Sequence, residues 1–554
     1  MTDLVLVNSI YFVAFIVSIK FILLTKQRLE LSFAKNPSLG GHVRWSKRFA
    51  RLIPAYSYTE DRWFSCDNAP SSVINQRKSG LTQLSADLVQ KSSLTLQRTI
   101  ETKPMISDLQ FTSNYRVPYQ FTKVLQKYIQ IGSFWKESQG VWLTDLDGNR
   151  FIDVTGSYGV NLFGLDFYKT CIKEGSELVS DLGPTLGSYH PCVLDNVKRL
   201  CALSGKDEVS FHMSGTEAVM QAVRLARYHT GKQKIVRFCG AYHGWWDDVQ
   251  PGPGNPMPPA SQTLTLREMH DSTLRVLRNR NDIACVLVNP LQALHPNQAA
   301  PGDSTLVDGS RKAYFDFDAY KAWLAKLREV CTAKGIVLIF DEVFLGFRLA
   351  KGGAQEFFSI QADMVTYGKT LGGGLPVGVI CGKAELMRRF RDDRPADICF
   401  ARGTFNAHPY VMGAMNVFLK RLETQEISAQ YATLDKTWNS RAKDLNELLK
   451  SHELPIQVAN MSTVWTVLIK SETRYNWLLQ YYMRREGIAL SWVGTGRMIF
   501  SLNFGDLDFQ EFTKRFIAAA QSMKRDGWFW KAAEQTNKSI KREMFLEMIR
   551  VRLA

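Results

Sequence analysis

No C-x-x-C pair and no cysteine–histidine spacing of a zinc site occurs in this chain, although it holds nine cysteines, at positions 66, 171, 192, 201, 239, 285, 331, 381 and 399. That argues against the common zinc modules and a thioredoxin-like redox pair, and no metal site is expected. The cysteines read as small buried hydrophobes in a reduced compartment. A P-loop is missing too. The stretch DMVTYGKTLGGGLPVG (363–378) sets Lys369 beside glycines, but G-x-x-x-x-G-K-[ST] would need a glycine where Asp363 stands. The formal charge of +16 would suit a nucleic acid, yet Lys and Arg are scattered and no basic run is interleaved with stacking aromatics. A nucleic-acid partner is therefore not expected, and no internal repeat is visible.

What the chain does have is material for a large core, since 554 residues at 45% hydrophobic and 22% charged suffice for two or more packed units. Its first residues are unusual. LVLVNSIYFVAFIVSIKFILL (Leu4 to Leu24) is long enough to cross a bilayer and carries only Lys20 as a charge. Asp3 alone precedes it, while Lys26, Arg28, Lys35, Arg44, Lys47, Arg48 and Arg51 follow, a bias that predicts a single-pass anchor in an inner or plasma membrane with the remainder cytoplasmic. A cleaved signal peptide competes with this reading, but there is no preceding basic region and no small-x-small site after it.

From Ser57 to Asn114 the chain is rich in Ser, Thr, Gln and Asn, with weak periodicity, and reads as a linker or loosely packed extension. Asp-Gly in DLDGNRFID (145–153), between GVWLT and RFIDV, predicts a hairpin. Between 160 and 400, helical patterns alternate with the short apolar runs KIVRF, ACVLV, IVLIFDEV and DMVTYG, which argues for an α/β fold with a mostly parallel sheet covered on both faces. The expected organisation is an anchor (1–25), a juxtamembrane extension and linker (26–117), a first segment of a small domain (118–160), a large domain (161–410), an α+β small domain (411–525) and a basic amphipathic helix (526–554).

Chemistry concentrates in the large domain. Ser214, Gly215 and Thr216 precede the helical pattern TEAVMQAVRLARYHTG, where free backbone N–H groups and hydroxyls suit an anion, although alone such a set is an ordinary cap. Asp341 ends the apolar run IVLIF, at the carboxyl edge of a parallel strand, where ligands of such sheets bind. A carboxylate buried there needs a cation or N–H partner, and a pyridinium nitrogen would serve. Lys369 follows another strand, MVTYG; a lysine in a partly dry site loses its proton readily and can form a Schiff base with an aldehyde, whereas in isolation it would read as a surface lysine. In GAYHGWW (240–246), Tyr242 or His243 could lie flat on a ring. Together these are the parts that pyridoxal 5'-phosphate requires.

The order SGT, YHG, DEV, GK-x-x-GGG-x-P-x-G, carried by SGTEAVMQAVRLAR, FDEVFLGFR and GKTLGGGLPVG, resembles the class III aminotransferases of PLP fold type I, most closely the glutamate-1-semialdehyde aminomutase-like branch. The resemblance runs over about 118–525. It implies that residues 161–410 form the PLP-binding domain, that Lys369 holds the cofactor and shuttles the proton, and that Asp341 pairs with the pyridine nitrogen. It further implies that Gly215 and Thr216, beside Ser214, take the phosphate, that Tyr242 stacks on the ring next to His243, and that Val343 packs on its other face. Thr404, in ARGTFNAHP, matches a threonine that reaches the neighbouring subunit's phosphate, which implies a homodimer with shared active sites. One departure concerns the donor: Val288-Asn289-Pro290 stands where the family usually has Val-Glu-Pro. Arg116 and Arg348 are possible carboxylate binders, with ordinary structural pairing as the alternative. The activity implied is amino transfer from an amino acid to a ketone or aldehyde, with an anchor suggesting a long lipid-like or polyketide-derived acceptor. An intramolecular aminomutase, a decarboxylating condensation and a membrane-tethered scaffold without turnover are the alternatives.

Overall fold

The computed structural model describes residues 2–35, 52–114, 117–250, 262–295, 297, 307–491 and 496–553. The chain begins with helix α1 (Thr2–Ala34), about 50 Å long at 1.5 Å per residue. Its apolar part is bare: Tyr11, Phe12, Phe15, Phe21 and Ile22 are each more than 60% exposed. Its last turn is not, because Ala34 is fully buried in the core of the large domain.

The segment whose composition reads as a linker folds as helices, among them α2 (Ser71–Lys91) and α3 (Ser93–Thr102), and α4 (Tyr119–Tyr128) follows it. Trp63, Phe64, Leu81, Leu84 and Phe121 are completely buried there, in one cluster with Trp465, Tyr475, Trp477 and Trp528. The stripe on α2 is hard to see in the sequence because Arg77 and Gly80 belong to it. Arg77 is fully buried, donates to the carbonyls of Phe64 (2.9 Å) and Gly527 (3.2 Å), and lies 4.5 Å from the Tyr475 ring. Gly80 is required by close approach, since a Cβ there would stand 2.5 Å from Asp526.

After this extension come β1 (Glu137–Gln139), β2 (Trp142–Thr144) and β3 (Arg150–Asp153), with Trp142 paired to Ile152 across the Asp-Gly hairpin. The large domain is then built from β4 (Glu208–His212), α5 (Gly215–Thr230), β5 (Lys234–Phe238), β6 (Thr263–Leu266), α6 (Asp271–Asn279), β7 (Ile283–Val288), α7 (Phe317–Lys334), β8 (Val337–Asp341), β9 (Met364–Gly368) and β10 (Gly378–Gly382). These strands form one seven-stranded sheet in the order β4-β10-β9-β8-β7-β5-β6, parallel except for β10. Strands β7 to β10 are buried at every position, as expected where helices cover both faces.

The small domain packs α8 (Gln425–Ser451) and α9 (Asp506–Arg525) on a three-stranded sheet of β11 (Ile456–Met461), β12 (Val464–Ile469) and β14 (Arg497–Ile499), while β13 (Ile488–Ala489) extends the β1–β3 sheet beside β3. The chain closes with α10 (Asn537–Leu553), shorter than the basic helix expected over 526–554. Trp528 is instead buried in the core ahead of it.

Candidate active site

The sheet delivers its chemistry at the carboxyl ends of β8 and β9. Asp341 is the last residue of β8 and Lys369 follows the last residue of β9, its neighbour in the sheet. Asp341 is 3% exposed and held by three donors: His243 Nδ1 at 2.8 Å, the Val343 N–H at 3.2 Å and Thr366 Oγ1 at 3.3 Å. Burial pushes the His243 imidazole below its ordinary pKa, against the pull of Asp341, so the ring is neutral at pH 7 with its Nδ1–H on the carboxylate. Its Nε2 is buried with no hydrogen-bond partner among the described residues.

Lys369 takes a left-handed backbone conformation, φ +46°, uncommon for a side-chain-bearing residue and characteristic of functional turns. The conformation is held from both sides. Tyr168 shares a short hydrogen bond with Thr370, and Gly373 (φ +60°) brings the chain so close to helix 409–422 that a Cβ would meet the Ala414 carbonyl at 2.5 Å. Lys369 Nζ lies 5.3 Å from the centre of the Phe344 ring. Desolvation lowers its pKa, Asp341 opposes that shift and the buried Arg348 adds to it. The amine is therefore closer to its reactive neutral form than a surface lysine.

Around this pair the backbone is pared down. A Cβ on Gly215 would stand 2.5 Å from Val343 Cγ1, one on Gly244 (φ +93°) 2.6 Å from Thr216 Oγ1, and one on Gly378 1.9 Å from the Ser214 carbonyl. Ser214 is the N-cap of α5, its hydroxyl accepting the Glu217 N–H at 3.3 Å while Glu217 accepts the Met213 N–H at 2.9 Å. That box satisfies two donors and leaves the first N–H groups of α5, at Gly215 and Thr216, to an outside acceptor. Tyr242 is 57% exposed, its pKa raised by partial burial and by Asp341.

The structure thus gathers Lys369, Asp341, His243, Tyr242, Val343, Gly215 and Thr216 at one sheet edge. Thr404 sits apart, in an exposed turn before helix 409–422. Arg348 is fully buried, and its Nη1 donates to Thr463 Oγ1 (2.8 Å) and the Phe500 carbonyl (2.8 Å) and its Nη2 to the Asn161 carbonyl (3.0 Å), which fits structural pairing of the two domains, while its Nε has no hydrogen-bond partner among the described residues. Arg116 lies outside the described residues, as do Arg44, Lys47, Arg48 and Arg51. Three neighbours were not singled out for these roles from sequence. Thr366 pairs with Asp341 in the β8–β9 register, Phe344 covers Lys369, and Asn289 donates to the Tyr242 carbonyl at 3.0 Å. Only Asn289 carried a signal, as the residue replacing a glutamate.

Comparison with known proteins identifies the family and the fold. The family model "Aminotransferase class-III" matches residues 125–248 and 316–520. A glutamate-1-semialdehyde 2,1-aminomutase of Methanocaldococcus jannaschii is 33% identical over 362 residues, 62% of this chain and 78% of that protein. Among solved structures, a transaminase with PLP bound superposes with a TM-score of 0.61 at 24% identity, over 79% of this chain and 98% of that one. A glutamate-1-semialdehyde aminomutase of Pseudomonas aeruginosa in complex with PMP gives 0.64 at 17% identity, over 81% and 99%.

Proposed function

We propose, from the premise that the chain belongs to the class III aminotransferases, that it moves an amino group from an amino-acid donor to a ketone or aldehyde, with Lys369 as the proton carrier. It is an enzyme of PLP fold type I whose cofactor is pyridoxal 5'-phosphate. The bound cofactor supplies an electron sink for the carbon that loses a proton. The residues present fit that group: a cradle that any added Cβ would fill, a buried carboxylate on a neighbouring strand, and a desolvated amine beside it.

Each residue then has a task. Gly215 and Thr216 would hold the phosphate at the start of α5, and Val343 and Tyr242 would bracket the ring. Asp341, fixed by His243, Thr366 and Val343, would keep the pyridine nitrogen protonated. Lys369 Nζ, neutral at a lower pH than free lysine, would take the proton from the donor carbon and return it to the acceptor carbon. Thr404, exposed and apart from this chain's own site, is free to reach the phosphate of a second subunit, which supports a homodimer with shared active sites.

The observation that carries this reading is the placement of Lys369 and Asp341 at the carboxyl ends of adjacent strands. Absorption spectra of the holoenzyme, taken before and after adding a panel of amines with Lys369→Ala as the blank, test it. Conversion by glutamate or alanine with release of a keto acid identifies an aminotransferase. Turnover without any added donor identifies an intramolecular aminomutase, the second reading, which the names of the curated relatives favour.

The N-terminal helix is long and apolar enough to cross a membrane over Ile10–Ala34. Its docked last turn supports an anchor retained in the working protein over a cleaved signal, and the Lys and Arg that follow the apolar stretch support a cytoplasmic position of the catalytic domains. Drawing an acceptor with a long apolar tail from the bilayer is one reason for such an anchor. Setting a charged face on the membrane is another, and the position of α1 favours it.

A further inference from the structure

Three contacts fix the direction of α1. The Ala34 carbonyl accepts the Arg267 N–H at 2.8 Å, one residue past the carboxyl end of β6. The Phe33 carbonyl accepts from Ser272 Oγ at 3.3 Å, near the start of α6, whereas Asn279 Nδ2, at the end of α6, donates to both Glu30 oxygens at 2.9 and 3.0 Å. Later residues of α1 thus meet earlier residues of α6, and the two helices run in opposite senses. Because α6 leads from the carboxyl end of β6 to the amino end of β7, α1 traced backwards leaves the domain past the amino-terminal edge of the sheet. That edge is opposite the one bearing Asp341 and Lys369. The exposed apolar stretch lies beyond it, with Leu24 about 9 Å along the helix from Glu30.

The part of this amino-terminal edge nearest α1 is basic. The starts of β5, β7 and β8 and the helix ends leading into them hold Lys232, Lys234, Arg278, Arg280 and Lys334 with Asp282, which Arg280 (2.5 Å) and Lys234 (3.4 Å) share, whereas the acids farther along the edge are Asp207 and Glu208 at β4 and Asp363 before β9, the last paired with Arg328 and Lys383. Among the described residues Lys232 Nζ donates to the carbonyls of Lys334 and Gly335, both at 3.1 Å, neither of them an acidic partner. Arg275 and Arg278 are exposed on α6, and Lys26 and Arg28 are exposed on α1 just after its apolar stretch.

Resting on the reading of α1 as a membrane anchor, we propose that this basic edge is a docking face for an anionic lipid leaflet, and that the catalytic edge is turned to the aqueous side. A charged face on a helix tether is held within a Debye length, about 8–10 Å, of the headgroups it meets. The four residue steps along β8 then set Asp341 about 13 Å farther from the bilayer than Val337. The substrates that fit this arrangement are water-soluble or delivered in solution by a carrier, and are not extracted laterally from the bilayer.

The test uses the full-length holoenzyme in a C201S background, reconstituted in phosphatidylcholine vesicles with or without phosphatidylserine and with a nitroxide-headgroup lipid as quencher. A fluorophore is placed at Gln233→Cys, on the basic edge, or at Tyr314→Cys, an exposed residue whose N–H bonds the Leu294 carbonyl on the catalytic edge. Quenching at 233 that strengthens with phosphatidylserine, is lost in R278Q/K334Q, and is absent at 314 is the expected result. Equal quenching at both positions, or stronger quenching at 314, overturns the orientation while leaving the anchor intact. Failure of the protein to float with the vesicles overturns the anchor reading, and the docking face with it.

Discussion

Lys369 and Arg474 are both cations withdrawn from water, yet burial lowers the pKa of the first and the neighbours of the second raise it. At the sheet edge, Lys369 and the buried His243 have one carboxylate between them, Asp341, and His243 Nε2 is left without a partner among the described residues. Where the extension, the small domain and α10 meet, Arg474 donates from Nε to Asp67 (2.8 Å), from Nη1 to Tyr58 (2.9 Å) and Glu547 (3.0 Å), and from Nη2 to Glu543. One site keeps its charges short of partners and so stays open to a ligand. The other surrounds a small-domain guanidinium with acceptors from the extension and α10 and so fixes the arrangement of all three. Buried charge alone does not mark function; the balance of partners does.

Exchanging the two fates breaks the comparison. Lys369→Ala should lower kcat by about 10⁴-fold and abolish the visible absorption band, with a melting temperature no lower than that of the parent. Arg474→Ala should do the reverse, destabilising the fold by about 3–5 kcal/mol in denaturant titrations because it strands the buried Asp67, while the folded fraction keeps its spectrum. Asp341→Asn should cost about 10²–10³-fold in kcat at unchanged stability, read from steady-state kinetics beside a melting curve.

The pH dependences sharpen the contrast. Glu547 is partly buried, which would raise its pKa, yet Arg474, Arg62 and Tyr58 hold it below its ordinary value. Its stabilisation is therefore complete above the unfolded value, near 4.3, and lost as pH falls through the depressed folded value. Acid should release α10 and the extension before it alters the sheet, as amide exchange over 537–553 would report. The basic limb of the rate profile should rise at a pH below that of ordinary lysine, because Lys369 deprotonates early. Smallest of all, Thr366→Val should remove one of three donors to Asp341 and weaken activity by about 1 kcal/mol, less than tenfold in kcat/KM.

How far the sequence reveals each region follows from the same difference. The alternation of apolar strands and helices, and a carboxylate or amine at the end of a strand, are local signals, and they led directly to the sheet, Asp341 and Lys369. The extension hid its packing because its core enlists residues that ordinarily mark surface or loops: Arg77, Thr95 and Thr99 are buried beside Leu81 and Leu84. His243 was legible only as one of two rings, since its bond to Asp341 spans 98 residues. Thr366 looks like any β-branched strand residue until the β8–β9 register sets it opposite Asp341. Arg348 finds its acceptors 115, 152 and 187 residues away, beyond what local pattern can carry.

Borohydride reduction of the holoenzyme followed by peptide mass mapping tests the central claim most directly. A phosphopyridoxyl group on Lys369, and on no other lysine, is the predicted result. Modification of a different lysine, or cofactor that leaves with the solvent after reduction, would contradict it.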